Sequence, residues 1–213
     1  MPIDAEDLRA LLPELDDAPG PQLTGAGTAD GLRFAALELT GDATGARFLE
    51  CELTDCDLAG VLFDRARLAG CLLTDLRTPA WSLVDATLLD VAAVGGRFGA
   101  LTAHGAQLTR VGLDGVKVDF VDLRGATLVD VTLTDCTIGE LDLSGADLRD
   151  VRLTGCTVGS LVLSGARSRS VDLRGADVER LDGVADLRGC TISTAQLTGW
   201  AAGMAAQLGI RVG

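Results

Sequence analysis

The chain has 213 residues, of which 47% are hydrophobic, enough for a sizeable core. That core must be built mainly from aliphatic and small side chains, since there are 27 glycines, five phenylalanines, two tryptophans and no tyrosine. The formal net charge of -13 disfavours direct binding to nucleic acid or to an anionic membrane surface, both of which require a basic footprint.

The N-terminal stretch MPIDAEDLRALLPELDD is acidic and lacks the basic start and apolar run of a signal peptide. No stretch approaches the roughly 18 apolar residues of a membrane span, so a cytoplasmic protein is expected. Asp4 and Asp7 precede Leu8, Leu11, Leu12 and Leu15, a pattern that predicts a short amphipathic helix ended by Pro13. Residues 16–31, with Pro19, Pro21 and several glycines, read as an irregular connection, so 1–31 is expected to be a capping segment and linker. Leu32, Phe34, Leu37 and Leu39 look like two early repeat units, one residue out of frame with the main run of repeats.

From Phe48 the sequence has a period of five. Leu53, Leu58, Phe63, Leu68 and Leu73 are followed by Leu83 and Leu88; after a weak patch the series runs from Leu108 to Leu163, lapses at Ser168, and returns at Leu173 and Val178. A second apolar residue sits two places before each of these, as in Ala146-Asp147-Leu148-Arg149-Asp150. Neither an amphipathic helix nor an ordinary strand has this spacing, so the chain must turn a corner in every unit.

Comparing every fourth unit sharpens the pattern. One column reads Ala46, Ala66, Ala86, Ala106, Ala126, Ala146 and Ala166; the next reads Cys51, Cys71, Val91, Val111, Val131, Val151 and Val171. The structural repeat is therefore 20 residues, one square coil with four distinct sides. Residues 46–180 give nearly seven coils, and at about 4.8 Å per coil a rod roughly 30–35 Å long. A solenoid leaves open ends that need caps. At the C-terminus, Ser193 with Gln196 forms a capping-box signature ahead of Leu197, Trp200, Ala201, Met204 and Leu208, which predicts a helix over 194–208.

Few residues have the arrangement of an active site. Cys51, Cys56, Cys71, Cys136 and Cys156 fall at the small inward position, as does Cys190 in a shifted frame, and serve there as core residues. The single histidine, His104, points outward without carboxylates in its own unit. No nucleophile elbow, P-loop or zinc motif occurs, and neither an enzyme nor a metal or other cofactor is expected. Thr78 in place of an inward Leu, with Pro79 beside it and Ala93, Gly96 and Ala103 following, leaves two readings of residues 76–105: a locally loose, bulged rod, or a binding notch. Outward charges stack from coil to coil. Asp90, Asp130 and Asp150 share a column broken by Arg110, Asp55, Asp75 and Asp135 lie on the adjacent side, and Arg77, Arg97 and Lys117 form a third column. A solvated face and a partner-binding face both account for these ladders.

The A-D-L-x-x units, clearest at Gly145-Ala146-Asp147-Leu148-Arg149, Gly175-Ala176-Asp177-Val178 and Ala185-Asp186-Leu187-Arg188, resemble the pentapeptide-repeat family over about residues 46–192. The resemblance implies an all-β, right-handed quadrilateral β-helix, here over 32–192, followed by a C-terminal helix and tail over 193–213. An acidic rod with such an ending is similar to the gyrase-protecting quinolone-resistance subgroup. That likeness implies a cytoplasmic homodimer, joined through Leu197, Trp200, Met204 and Leu208, that imitates DNA and binds DNA gyrase with Asp90, Asp130, Asp135 and Asp150 as phosphate stand-ins. The alternative is a scaffold that binds another protein through the 76–105 region or the N-terminal segment.

Overall fold

The computed structural model describes residues 3–211 and shows a right-handed parallel β-solenoid of about nine turns with one helix near each terminus. Through the body of the rod each coil lies on the next with an offset of 20 residues, apart from a shift where Thr154 pairs with Gly175: Thr87 pairs with Arg67 and with Gln107, and Arg97 with Arg77 and with Lys117. We number the four sides from the columns that begin at Ala46, Cys51, Cys56 and Val61. Strands such as Thr87–Val94 and Gln107–Asp114 cover sides one and two, while Arg97–Thr102 and Lys117–Asp122 cover sides three and four. The fourth corner is a tight turn in which the Ala126 N–H donates to the Leu123 carbonyl at 3.1 Å. Its third residue, Gly125, has φ of +63°, a conformation natural to glycine, and the same corner holds Gly105, Gly145 and Gly165.

The two inward positions of each unit make one continuous core in which nearly every side chain is almost fully buried. Its first half contains an aromatic stack running Phe34, Phe48, Phe63, Trp81 and Phe98, with successive ring centroids 5.4–6.2 Å apart. This stack explains the weak patch. Thr78 pairs in register with Phe98, its hydroxyl donating to the Ala80 carbonyl at 2.8 Å, so small residues at 78, 93, 96 and 103 surround the two largest rings. The ladder through 76–105 keeps its register, so the rod is not bulged there and any looseness is confined to the packing of its interior. Around the small residues lies an enclosed, wholly apolar void of about 70 Å³ among Leu83, Ala93, Phe98 and Ala103, extending along the aliphatic half.

The ends differ from the sequence expectation. Residues 16–31 are part of the solenoid: Asp16 pairs with Leu32, Gln22 with Thr40 and Thr28 with Arg47. Coil offsets grow from 16 to 18 to 19 residues before settling at 20, so the rod begins as a taper, and the 19-residue step between Arg33 and Glu52 is why Phe34 reads as out of frame. Pro19, Pro21 and the glycines serve these shorter coils rather than a linker. The N-terminal helix, α1 (Ala5–Leu11), is capped by Asp4, whose side chain accepts from the Asp7 N–H at 2.7 Å. It lies on side two against Leu72 and Ala92 and does not close the end.

The C-terminal helix, α2 (Thr194–Gln207), does close an end. The Ser193–Gln196 capping box forms as predicted, and three α2 side chains then bond carbonyls of the last full coil. Gln196 Nε2 donates to Leu173 and Ala176, Trp200 Nε1 to Val178, and Gln207 Nε2 to Leu181, at 2.6–3.0 Å. Buried carbonyls at a rod end otherwise cost about 1–3 kcal/mol each when left unpaired, which is the physical reason for a polar-sided cap.

Candidate protein-interaction surface

The corners position the charged side chains. At the last residue of a unit on sides one and two the backbone is left-handed, and Asp90, Asp130, Asp135 and Asp150 all stand there with φ of 50–55°. Aspartate accepts this conformation more readily than most residues. These columns therefore have a conformational cause, invisible as such in a charge count, that operates whether or not a partner binds.

The sides differ in electrostatics. Side one, which holds Asp90, Asp130 and Asp150, carries five acids and six arginines at its outward positions between Arg47 and Ser170. Asp90 accepts two hydrogen bonds from the Arg110 guanidinium, at 2.6 and 2.7 Å, and Asp147 is clamped in the same way by Arg167. Side two carries Glu52, Asp55, Asp75, Asp114, Asp135 and Asp172 against only Arg152 and Arg174. Arg174 is committed to Asp172, whose carboxyl its hydrogen bonds hold down at about 2. α1 adds Asp4, Glu6 and Asp7 to the same flank, and its one arginine, Arg9, turns inward to Glu52 at 3.4 Å. Asp75, Asp114 and Asp135 are exposed and make no ion pair among the described residues. The structure thus brings Asp135 onto a continuous acidic flank with Asp75 and Asp114, and separates it from Asp90, Asp130 and Asp150, which share a charge-balanced side.

Side three is near neutral overall but holds a short run of cations, with Asp57 and Asp119 beside them. Arg77, Arg97 and Lys117 stack in register along a shallow groove floored by Thr78, Pro79 and Gly99. Arg77 donates to Asp55 at 2.6 Å, whereas Arg97 and Lys117 make no ion pair among the described residues. On side four, His104 Nδ1 lies 3.7 Å from the carboxylate of Asp122, a buried aspartate whose pKa is lowered chiefly by hydrogen bonds from Arg124. The six cysteines are free thiols, five of them buried in the core, and burial pushes the Cys56 thiol up. Among the described residues no group of three histidines, cysteines or carboxylates is arranged to hold a metal ion, and no helix is long and apolar enough to cross a membrane.

The pentapeptide-repeat family matches residues 119–155 in eight copies, the stretch where the five-residue period and the four-sided register are most regular. The chain carries pentapeptide repeats in that stretch. Among solved structures, its fold is similar to that of HetL, a pentapeptide-repeat protein involved in heterocyst differentiation regulation from the cyanobacterium Nostoc sp. strain PCC 7120. The TM-score is 0.50 and the identity 17%, over 82% of this chain and 92% of HetL. QnrB1, a plasmid-mediated fluoroquinolone resistance protein, aligns over 86% of this chain and all of its own at 17% identity with a TM-score of 0.36. No curated protein matches the sequence. The feature that the pentapeptide-repeat chain shares with HetL is the solenoid itself.

Of the four residues expected to join two copies of this chain, the structure separates two from the others. Trp200 is buried against its own rod and Met204 packs on the same core, so both serve the end cap. Leu197 and Leu208 face outward, about half exposed, together with Ile210. Sequence periodicity collected all four because helical spacing identifies an apolar set without identifying which surface each member meets.

Proposed function

We propose that this chain is a non-catalytic, cytoplasmic binding rod that presents side two and α1 to a cationic, DNA-accepting surface of a partner protein. The observation that carries this reading is the segregation of charge: unpaired carboxylates collect on one flank of a rod about 40 Å long while side one is balanced by ion pairs. Asp75, Asp114 and Asp135 are the phosphate stand-ins on this reading, with Asp90, Asp130 and Asp150 secondary because of the arginines around them. DNA gyrase is the candidate partner named by the sequence ending, and Leu197, Leu208 and Ile210 are the surface through which two copies would join. Electrostatic complementarity of this kind acts first on encounter rate and is weakened by salt.

The test is a gyrase supercoiling assay with purified protein, with and without a fluoroquinolone, alongside light scattering. Asp75→Lys, Asp114→Lys and Asp135→Lys together are expected to abolish an effect on gyrase, whereas Asp90→Lys, Asp130→Lys and Asp150→Lys together leave most of it. An effect indifferent to the first triple would sink the acidic-flank reading. The second reading, an interaction scaffold, is favoured by the side-three groove: a partner captured equally well by the side-two triple and lost on Arg97→Glu with Lys117→Glu would put it first.

A further inference from the structure

Side two contains a feature that the repeat does not require. The second position of each unit is normally polar and solvated, as in Arg47, Arg67 and Thr87 of side one. On side two it reads Leu72, Ala92 and Gly112, and Leu72 is 0% and Ala92 2% exposed although both point away from the solenoid core. They form a separate apolar cluster with Leu8, joined by Ile3, Ala5 and Leu12 of the N-terminal segment. The outward side chains shrink in order along the rod, and Gly112 leaves the space that the Ile3 carbonyl fills: a Cβ at 112 would stand 2.6 Å from that oxygen. Leucine at 72, in the same column, shows that the strand itself accepts a large residue there.

We propose that the Leu72–Ala92–Gly112 stripe is a docking groove for a short amphipathic helix, and that α1 is its exchangeable resident. Three observations point to exchange rather than permanent closure. α1 has seven residues, below the length at which an isolated helix holds itself together, so its order depends on the groove. Beyond Leu8 and the flanking Ile3, Ala5 and Leu12, only one of which lies inside the helix, its side-chain attachment is the ion pair of Arg9 with Glu52, whose arginine is mostly exposed. Its removal takes nothing from the solenoid core, because Leu72 and Ala92 belong to a cluster distinct from it. The groove fits a partner helix of the same chemistry: a central leucine flanked about a turn away by an alanine and a second aliphatic residue, with a cation next to the central leucine able to reach Glu52. The groove lies on the same side as the acidic flank, so the inference shares that surface with the proposed function but does not depend on which protein the carboxylates meet.

The probe is a fluorescent synthetic peptide of residues 1–14, titrated into full-length chains and read by anisotropy. Leu8→Asp vacates the groove in cis, and the peptide is expected to bind that chain saturably and at least about tenfold more tightly than it binds the wild type, whose groove is filled. Adding Gly112→Leu to Leu8→Asp obstructs the seat and is expected to weaken binding about tenfold. Arg9→Glu, which repels Glu52 without altering an apolar residue, serves as a second vacating variant and is expected to give the same order with a smaller gain. No saturable binding to a Leu8→Asp or Arg9→Glu chain with a wild-type far-UV spectrum overturns the proposal, as does binding indifferent to Gly112→Leu. Loss of a dimer in the Leu8→Asp chain would assign the stripe to a second copy and also overturn it.

Discussion

The two halves of the rod solve the same packing problem with different materials. From Phe34 to Phe98 five stacked rings run through a core otherwise made of aliphatic and small residues, whereas from Leu101 to Leu163 it is filled by Leu, Val, Ile and Cys with small alanines. The backbone is parallel and in register in both, at 20 residues per coil once past the 19-residue step at Phe34. A solenoid fixes the cross-section of its own interior, so a ring too large for one coil must be met by small residues above and below it. Thr78, Gly96 and Ala103 do this around Trp81 and Phe98, and where the match ends the void of about 70 Å³ begins. Packing in such a rod is complementary along the axis as well as within each coil, and columns tolerate exceptions so long as neighbouring coils compensate.

This contrast is most sharply broken at Trp81, which touches Phe63 and Phe98 at once. Trp81→Ala should cost about 3–5 kcal/mol, read as the shift in urea midpoint at unchanged slope. Leu141→Ala, in the aliphatic half, should cost less, about 2–3 kcal/mol, because both side chains line the void and the leucine loses fewer buried atoms than the indole. Equal losses at the two sites would show that the indole in the stack contributes no more than one leucine, less than its larger area predicts. The smallest effect is expected from filling the void: Ala103→Val should stabilise by about 1 kcal/mol if the added methyls enter the existing space. A loss in its place would mean that the coil cannot accept the branched side chain without moving. Because each coil contacts only its neighbours, these unfolding curves are best followed by two probes to establish that the transition is cooperative.

The candidate surface was less legible than the fold. Charge columns can be read from the sequence at a spacing of 20, which puts Asp90 and Asp135 on adjacent sides but gives both the same role as phosphate stand-ins. They part company only when Arg110 is seen to reach back to Asp90 while Asp135 stands on a flank shared with α1. The side-two stripe did leave a trace in the sequence, since Leu72, Ala92 and Gly112 are apolar where the unit is polar, but that trace has meaning only once coils are stacked. At the C-terminus, Trp200 and Leu197 lie on one short helix, and which of them is a cap and which an exposed contact depends on the end of the rod beneath them.

The sequence by itself determined the four-sided coil, because a period of five with column-specific side chains admits one way to keep two positions per unit out of water at every turn. It also determined the capped C-terminal helix, a matter of local hydrogen bonds. The tertiary structure alone decided that residues 16–31 taper into the first coils, that α1 lies along the flank instead of across the end, and which carboxylates stand free. Those outcomes depend on contacts between residues one or more coils apart, where reach, clearance and competing ion pairs decide, and a local pattern carries none of these.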